Sequence, residues 1–462
     1  MPRKSDTQPE GTGFRPAFHA LWHLPMLGVV KDLKDYSGDP WDNADKDEKA
    51  TRIAIIDTPV DHDHPNLAGA IDIGLMRDFS QGGNGAFVLH NLSDENMVSR
   101  EALLAKIENS KKVLDEAIKE EAAWIESKKD EDRPKGVPLV PPSRLYGAHG
   151  TAVAGLIGAR PACVKLRRPM FTPKDMAKTP QVVDLELPYC GINPFCRIIP
   201  VSVTANPSPE MVLGALEYTK LIEPDIVVIA DSWDGALDSD GVVTDAWKDV
   251  DDALTDLCLN FIVLCAAGND ALDQPVYPAS RCNDKTIRKI DGKINEINAP
   301  GPWAVGACGT DGKDLTYSPV QSTIVGHGGW MIKTLSTEVP IFDRERTRID
   351  PWEIEDDLLG VPKNSEDFPL ADIVTTDLPG RAGYNPSPYE HRPGPDEEQY
   401  EIASLFCRFA GTSAAVAIAA GLVSLLPSDS RRSTGRPPGK KPSEKGLEQL
   451  FDVELAKKLF KK

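Results

Sequence analysis

Residues 197–267 decide the fold. They contain RIIPVSV at 197–203, DIVVIA at 225–230 and NFIVLCAA at 260–267, three short and nearly continuous apolar runs. Between them, Ser208 to Leu221 and Thr244 to Leu257 repeat apolar residues at helical spacing, with Ser208 placed to cap the first. Strands that are apolar on both faces and separated by amphipathic helices build a parallel sheet covered on both sides. The pattern therefore predicts an α/β fold, a doubly wound, mostly parallel sheet sandwiched by helices. Upstream, RIAII at 52–56 reads as another buried strand, and downstream Trp303 to Cys308 reads as one more.

Outside this frame the chain changes character. Residues 1–50 are rich in Pro, Gly and Asp, with one apolar patch from Phe18 to Leu27, and read as an N-terminal arm lying on the main body. Ser93 to Asp130 reads as a long charged helix, with Leu104, Ile107, Leu114, Ile118 and Ile125 at helical intervals. Pro161 to Pro188 reads as an irregular surface segment. Phe409 to Leu426 reads as a loop followed by an Ala-rich buried helix. The expected organisation is an arm over 1–50, one domain over 51–427 with insertions at about 82–145, 160–190 and 338–402, and a basic linker with a short helix over 428–462.

Composition narrows the function. The formal net charge is −19, which gives no general attraction for nucleic acid or an anionic membrane. No apolar run is long enough for a transmembrane helix, and the polar N-terminus does not resemble a secretory signal. The eight cysteines are scattered without metal-ligand spacing and read as reduced thiols, so a cytoplasmic location is expected.

Four short elements could carry chemistry. Asp57 ends a strand, His149 stands in Gly147-Ala-His-Gly-Thr151 at a helix start, and Ser413 stands in Gly411-Thr-Ser-Ala-Ala415 at another. Nucleophilic hydrolysis needs a hydroxyl, an imidazole to take its proton and a carboxylate to hold the imidazole's tautomer. Ser413 at a helix N-terminus would aim backbone N–H groups at a developing oxyanion, and Asn269 in Ala266-Ala-Gly-Asn269 could donate a second hydrogen bond. Taken singly, each has a plainer structural reading as a cap or a turn. Their joint occurrence, in one order and with matching flanks, favours chemistry.

These segments resemble the subtilisin-like serine peptidases, the subtilases, whose chain order is Asp, His, Ser. Residues 53–67 (IAIIDTPVDHDHPNL) look like the family's aspartate motif, 146–155 (YGAHGTAVAG) its histidine motif and 411–415 (GTSAA) its serine motif. Ala266 to Asn269 is similar to the oxyanion segment and Val276 to Ala279 to the wall that follows it. The resemblance implies a subtilisin-like α/β sandwich and an endopeptidase acting on polypeptides, with Asp57, His149 and Ser413 as triad and Asn269 at the oxyanion. It also implies a substrate edge at Ser232, Trp233, Asp234 and Gly235, together with Ala267 and Gly268. Asp234, Asp238 and Asp240 are similar to the acidic edge of kexin-like subtilases, which prefer basic residues before the cut; a solvated acidic loop is the plainer account. Pro59 departs from the glycine usual there, and Ala414 and Val416-Ala417 depart from the usual Met and Pro. No cofactor is required. Structural calcium is common in the family, but no ligand spacing places it here, and the His62-Asp-His64 turn is better explained as part of the aspartate motif than as a zinc site. A regulatory partner could act through 93–130 or the C-terminal tail, gating the cleft. The competing reading is a catalytically silent binding protein on the same fold.

Overall fold

The computed structural model describes residues 19–31, 40, 41, 44, 50–80, 147–167, 182–282, 285–290, 293–298, 301–319, 331–337, 373–378, 383, 384 and 405–426. The expected helix at 93–130 and the linker and helix at 428–462 lie outside these residues, as does most of 338–402. Among the described residues, seven strands form one sheet: β1 (Arg52–Asp57), β2 (Arg77–Asp78), β5 (Arg197–Ser202), β6 (Ile226–Ile229), β7 (Ile262–Ala266), β10 (Trp303–Cys308) and β11 (Met331–Leu335). Their order is β11-β10-β7-β6-β1-β5-β2, and every neighbouring pair is parallel. The α/β class and parallel sheet are thus as expected. β1 sits centrally, with β5 on one side and β6 on the other, so the chain crosses over it between them. Such a switch leaves a crevice at the carboxyl ends of the strands.

Alternation along the strands feeds two cores. Ile53, Ile55, Val228, Leu264 and Val305 face one, and Ala54, Ile56, Val227, Ile229 and Val263 face the other. The second face is covered by the amphipathic helices α3 (Pro209–Ile222), capped by Ser208 through Met211 N, and α4 (Lys248–Asn260). The first face carries α2 (Ala148–Gly158) and α5 (Gly411–Ser424); every residue of α5 is buried. The N-terminal residues join that first core through Leu21, Leu24, Val29 and α1 (His23–Met26), and the Trp41 indole N–H donates to the Ile192 carbonyl at 2.7 Å. These residues are part of the core rather than a patch resting on its surface.

One expectation needs correction. The stretch 161–188 is not irregular throughout: β3 (Ala162–Arg167) and β4 (Val182–Leu187) pair antiparallel, with Ala162 opposite Leu187. Val183, Leu185 and Leu187 alternate in the sequence at period two, a strand signal outweighed in reading by the surrounding prolines. A second ribbon, β8 (Lys285–Ile290) with β9 (Lys293–Asn298), is joined in sequence by Asp291-Gly292, a strong hairpin signal. β12 (Val374–Thr376) and β13 (Phe406–Arg408) form a further antiparallel pair, which leads into α5.

Candidate active site

The site gathers at the carboxyl end of the sheet. Asp57 is the last residue of β1 and is buried. Its Oδ1 accepts the Thr58 N–H at 2.6 Å and the Thr58 hydroxyl at 3.2 Å. His149 Nδ1 lies 2.8 Å from Asp57 Oδ1 and 3.0 Å from Oδ2. A carboxylate only accepts, so Nδ1 carries the proton and Nε2 is left as the basic nitrogen of the neutral ring. The ring is half-buried and meets Phe409 edge-on at 5.4 Å. Burial works against the imidazolium. The charge of Asp57, its hydrogen bond and the charge of Asp231 outweigh that, so His149 titrates above the ordinary histidine value.

The glycines flanking His149 have a steric cause. A Cβ on Gly150 would sit 2.0 Å from the Thr58 carbonyl oxygen, and one on Gly147 2.3 Å from the Thr58 hydroxyl. Only bare backbone lets the start of α2 close onto the turn after Asp57. That closure is fastened by Gly147 N–H to the Pro59 carbonyl at 2.7 Å and Gly150 N–H to the Thr58 hydroxyl at 3.0 Å. Both nitrogens of His64 are occupied, Nδ1 by the Asn66 N–H and Nε2 by the Leu405 carbonyl. His64 thus belongs to this framework, and among the described residues no cluster of three or more acidic, His or Cys side chains could hold a metal.

Ser413 is the third residue of α5 and is buried. The helix opens at Gly411 with φ +83°, a left-handed conformation that favours glycine. Thr412 ties this opening to the segment after β7. Its N–H donates to Asn269 Oδ1 at 2.8 Å, its hydroxyl donates to the same oxygen at 3.1 Å, and that hydroxyl accepts the Gly268 N–H at 3.0 Å. Because a main-chain N–H can only donate, these bonds fix the Asn269 amide with its oxygen toward Thr412 and its NH₂ turned from it. The Ser413 hydroxyl donates to the Ala230 carbonyl at 3.0 Å and makes no hydrogen bond to His149.

The structure therefore brings Asp57 and His149 into contact. Ser413 and Asn269 are coupled through Thr412, and Ser413 is joined to the end of β6 rather than to the imidazole.

The Subtilase family matches residues 48–337. The chain belongs to the Subtilase family. The matched span includes Asp57, His149 and Asn269 and ends before Ser413. No curated protein matches the sequence. Among solved structures, the chain is similar to the nisin leader peptidase NisP from Lactococcus lactis, at 13% identity and TM-score 0.44, over 94% of this chain and 95% of that one. It is similar to the epidermin leader peptide processing serine protease EpiP from Staphylococcus aureus at 15% identity and TM-score 0.46, over 93% and 74%. Fervidolysin from Fervidobacterium pennivorans, a keratinolytic enzyme related to subtilisin, is similar at 15% identity and TM-score 0.42, over 89% and 40%.

In this subtilase the expected substrate edge divides in two. Asp234 and Gly235 are exposed and Ser232 is half-buried, whereas the Trp233 side chain turns into the core, stacked on Trp247 at 6.0 Å and packed on Tyr277. The Trp233 N–H is spent on the Tyr277 carbonyl at 3.0 Å and the Ser232 N–H on Asp231 Oδ1 at 2.8 Å. Ala267 is buried, accepts the Val276 N–H at 2.9 Å and leads into half-buried Gly268. A cleft of about 450 Å³ opens between residues 233–237 and 272–277, with Trp233, Leu237, Leu272, Val276 and Tyr277 on its walls and Asp234 beside them. Asp238 is committed to its own turn, accepting the N–H groups of Asp240 and Val242, each at 2.9 Å.

Sequence reading did not single out Thr58, Thr412, Ala230, Asp231 or Phe409. Thr58 and Thr412 adjoin Asp57 and Ser413, and a hydroxyl beside each was the available signal. Ala230 acts through its carbonyl, which no side-chain pattern reveals.

Proposed function

We propose that this subtilase is a serine endopeptidase with Asp57, His149 and Ser413 as its triad. The observation that carries the reading is the paired contact of His149 Nδ1 with both oxygens of buried Asp57, which leaves Nε2 as the base. Catalysis requires the Ser413 hydroxyl to leave the Ala230 carbonyl for Nε2. Nε2 takes the hydroxyl proton as Oγ bonds to the scissile carbonyl carbon, and the carbonyl π pair moves onto oxygen. That oxyanion is held by the Ser413 N–H, free in the first turn of α5, and by the Asn269 NH₂. The intermediate collapses as His149 gives its proton to the leaving amine. Water, deprotonated by His149, then releases the acyl group and restores Ser413.

The substrate is a polypeptide laid along the exposed edge at Ser232 to Gly235, with main-chain hydrogen bonds as in strand addition. Asp234 beside the cleft suits a basic side chain there. The buried thiols support a reducing, cytoplasmic setting: Cys190, Cys196, Cys265, Cys282 and Cys407 pack into the interior as small apolar groups, and burial raises Cys196 and Cys282 to about 12.

One observation favours a second reading, a silent binding protein: the Ser413 hydroxyl rests on Ala230 rather than on His149. A fluorophosphonate probe separates the two. Peptidase action predicts labelling of wild type and none of Ser413→Ala; a folded wild type that resists the probe supports the silent protein.

A further inference from the structure

Two hydroxyls outside the triad close on the start of the helix that carries Ser413. Tyr317 stands in the turn region after β10, and Ser336 directly follows β11. The Tyr317 hydroxyl accepts the Gly411 N–H at 3.1 Å. The buried Ser336 hydroxyl donates to the Gly411 carbonyl at 2.9 Å. Tyr317 Oη lies 2.8 Å from the Thr337 carbonyl oxygen and 3.0 Å from Ser336 Oγ, so its own proton has an acceptor close by. Gly411 is thus gripped at both of its main-chain polar groups. Its carbonyl shares a peptide unit with the Thr412 N–H, which donates to Asn269 Oδ1 at 2.8 Å. Tyr317, Ser336 and Asn269 together fix the two peptide units that precede the one carrying the Ser413 N–H. Gly411 has φ +83°, and a glycine has little conformational preference of its own, so the direction of the chain here is held from outside. Tyr317 also reaches the opposite side of the site: its carbonyl accepts the N–H of Ala271, just beyond Asn269, at 2.9 Å. One residue therefore joins the segments that bear both proposed oxyanion donors.

We propose that Tyr317 is a positioning residue for the nucleophile, its hydroxyl acting with that of Ser336 as a clamp that sets the direction in which α5 opens. The inference rests on the peptidase reading for its purpose and on the hydrogen bonds around Gly411 for its substance. Tyr317 acts through Gly411 rather than on substrate. It holds the backbone from which the Ser413 hydroxyl and N–H are presented to the scissile carbonyl. Without the clamp, that backbone gains the freedom of an unrestrained glycine, and the reacting groups lose their alignment. The proposed substrate edge at 232–235 lies on another segment. The loss therefore falls on the rate of bond formation and spares binding.

The test is the kinetics of fluorophosphonate labelling in the full chain, which separate probe binding (KI) from bond formation (kinact). Tyr317→Phe keeps the ring and removes the hydroxyl. Its kinact should fall about 10-fold, less than the ~10²-fold cost of a full 1 Å misplacement, with KI within about twofold of wild type. Ser336→Ala should fall similarly, and it carries the same test if Tyr317→Phe does not fold. The double variant should lose much less than the product of the two single losses, because both hydroxyls grip one residue. Thr334→Val removes a buried β11 hydroxyl that has no hydrogen-bond partner, and it should label like wild type. Amide hydrogen exchange at Gly411 should quicken by about 10-fold or more in Tyr317→Phe, a readout that needs no turnover. A folded Tyr317→Phe with the wild-type kinact overturns the proposal, as does a loss confined to KI or a Thr334→Val that falls as far as Tyr317→Phe. A wild type that takes no probe removes the peptidase reading instead. Exchange at Gly411 then decides whether Tyr317 holds the opening of α5, and an unchanged rate in Tyr317→Phe denies the clamp.

Discussion

The two faces of the sheet are built to different rules. The face under α3 and α4 is covered by amphipathic helices, with Lys220 of α3 paired to Asp256 of α4 at 2.7 Å on the outside. The face under α2 and α5 is covered by helices of Ala, Gly and Val that are buried almost throughout, and residues 19–30 complete its core. The three residues of the proposed triad all belong to this second kind of face: Asp57 lies on the same side of β1 as Ile53 and Ile55, and His149 and Ser413 open the two buried helices. Small residues let those helices approach closely. A Cβ on Gly421 would sit 2.4 Å from the Ile192 Cβ, and one on Gly155 would sit 2.0 Å from the Thr376 hydroxyl. Close packing holds the helix backbones that carry His149 and Ser413 in place.

Substitutions on either face sharpen that division. The largest stability loss is expected on the amphipathic face. Asp251, fully buried in α4, is ion-paired to Arg281 and accepts the Tyr277 hydroxyl at 3.2 Å. Asp251→Asn leaves the Arg281 charge uncompensated and should cost about 3–5 kcal/mol in chemical denaturation. A loss below 1 kcal/mol would show that this face does not depend on its buried pair. On the other face, Asn269→Ala should lower kcat by about 10²–10³, or about 2.7–4 kcal/mol, a magnitude taken from the equivalent donor in subtilisin. Removing the acceptor of the buried Thr412 N–H and hydroxyl should also cost about 1–3 kcal/mol of stability, and an unchanged kcat in the folded variant would deny Asn269 its oxyanion role.

The smallest effect at neutral pH is expected at His23, buried in the same core as α2 and α5, where burial lowers the ring to about 4 against a smaller pull from the Ala20 main chain. The folded state then binds fewer protons than the unfolded one between pH 6.5 and 4, so acidification across that window lowers stability. His23→Leu should escape this loss, and denaturation curves of the two proteins should diverge as pH falls from 6.5 toward 4. Parallel curves would contradict the burial of an uncharged ring.

The same division governs what the sequence reveals. α3 and α4 are legible by periodicity because each has a wet side, and Ser208 announces its helix as a cap. α2 and α5 have no wet side, so periodicity is silent; they are legible through Gly-Ala-His-Gly-Thr and Gly-Thr-Ser, whose glycines answer to contacts with Thr58 and to the left-handed turn at Gly411. Five of the seven parallel strands were legible as apolar runs; β2, only Arg77–Asp78, and β11, with Lys333 and Thr334 inside it, were not, and the ribbons β3–β4 and β8–β9 were signalled only by short alternation and by Asp291-Gly292. The pairing of Asp57 with His149 was readable from residue types. The resting place of the Ser413 hydroxyl was not, because it depends on where β6 ends relative to the start of α5, a matter of placement between remote segments.

The most direct measurement is the mass of the peptide carrying Ser413 after fluorophosphonate treatment of the folded full chain, with His149→Ala and Ser413→Ala alongside. The triad account predicts one adduct on Ser413 in wild type and little or none in either variant. A folded wild type that carries no adduct on Ser413, or a His149→Ala variant labelled as fast as wild type, would contradict it.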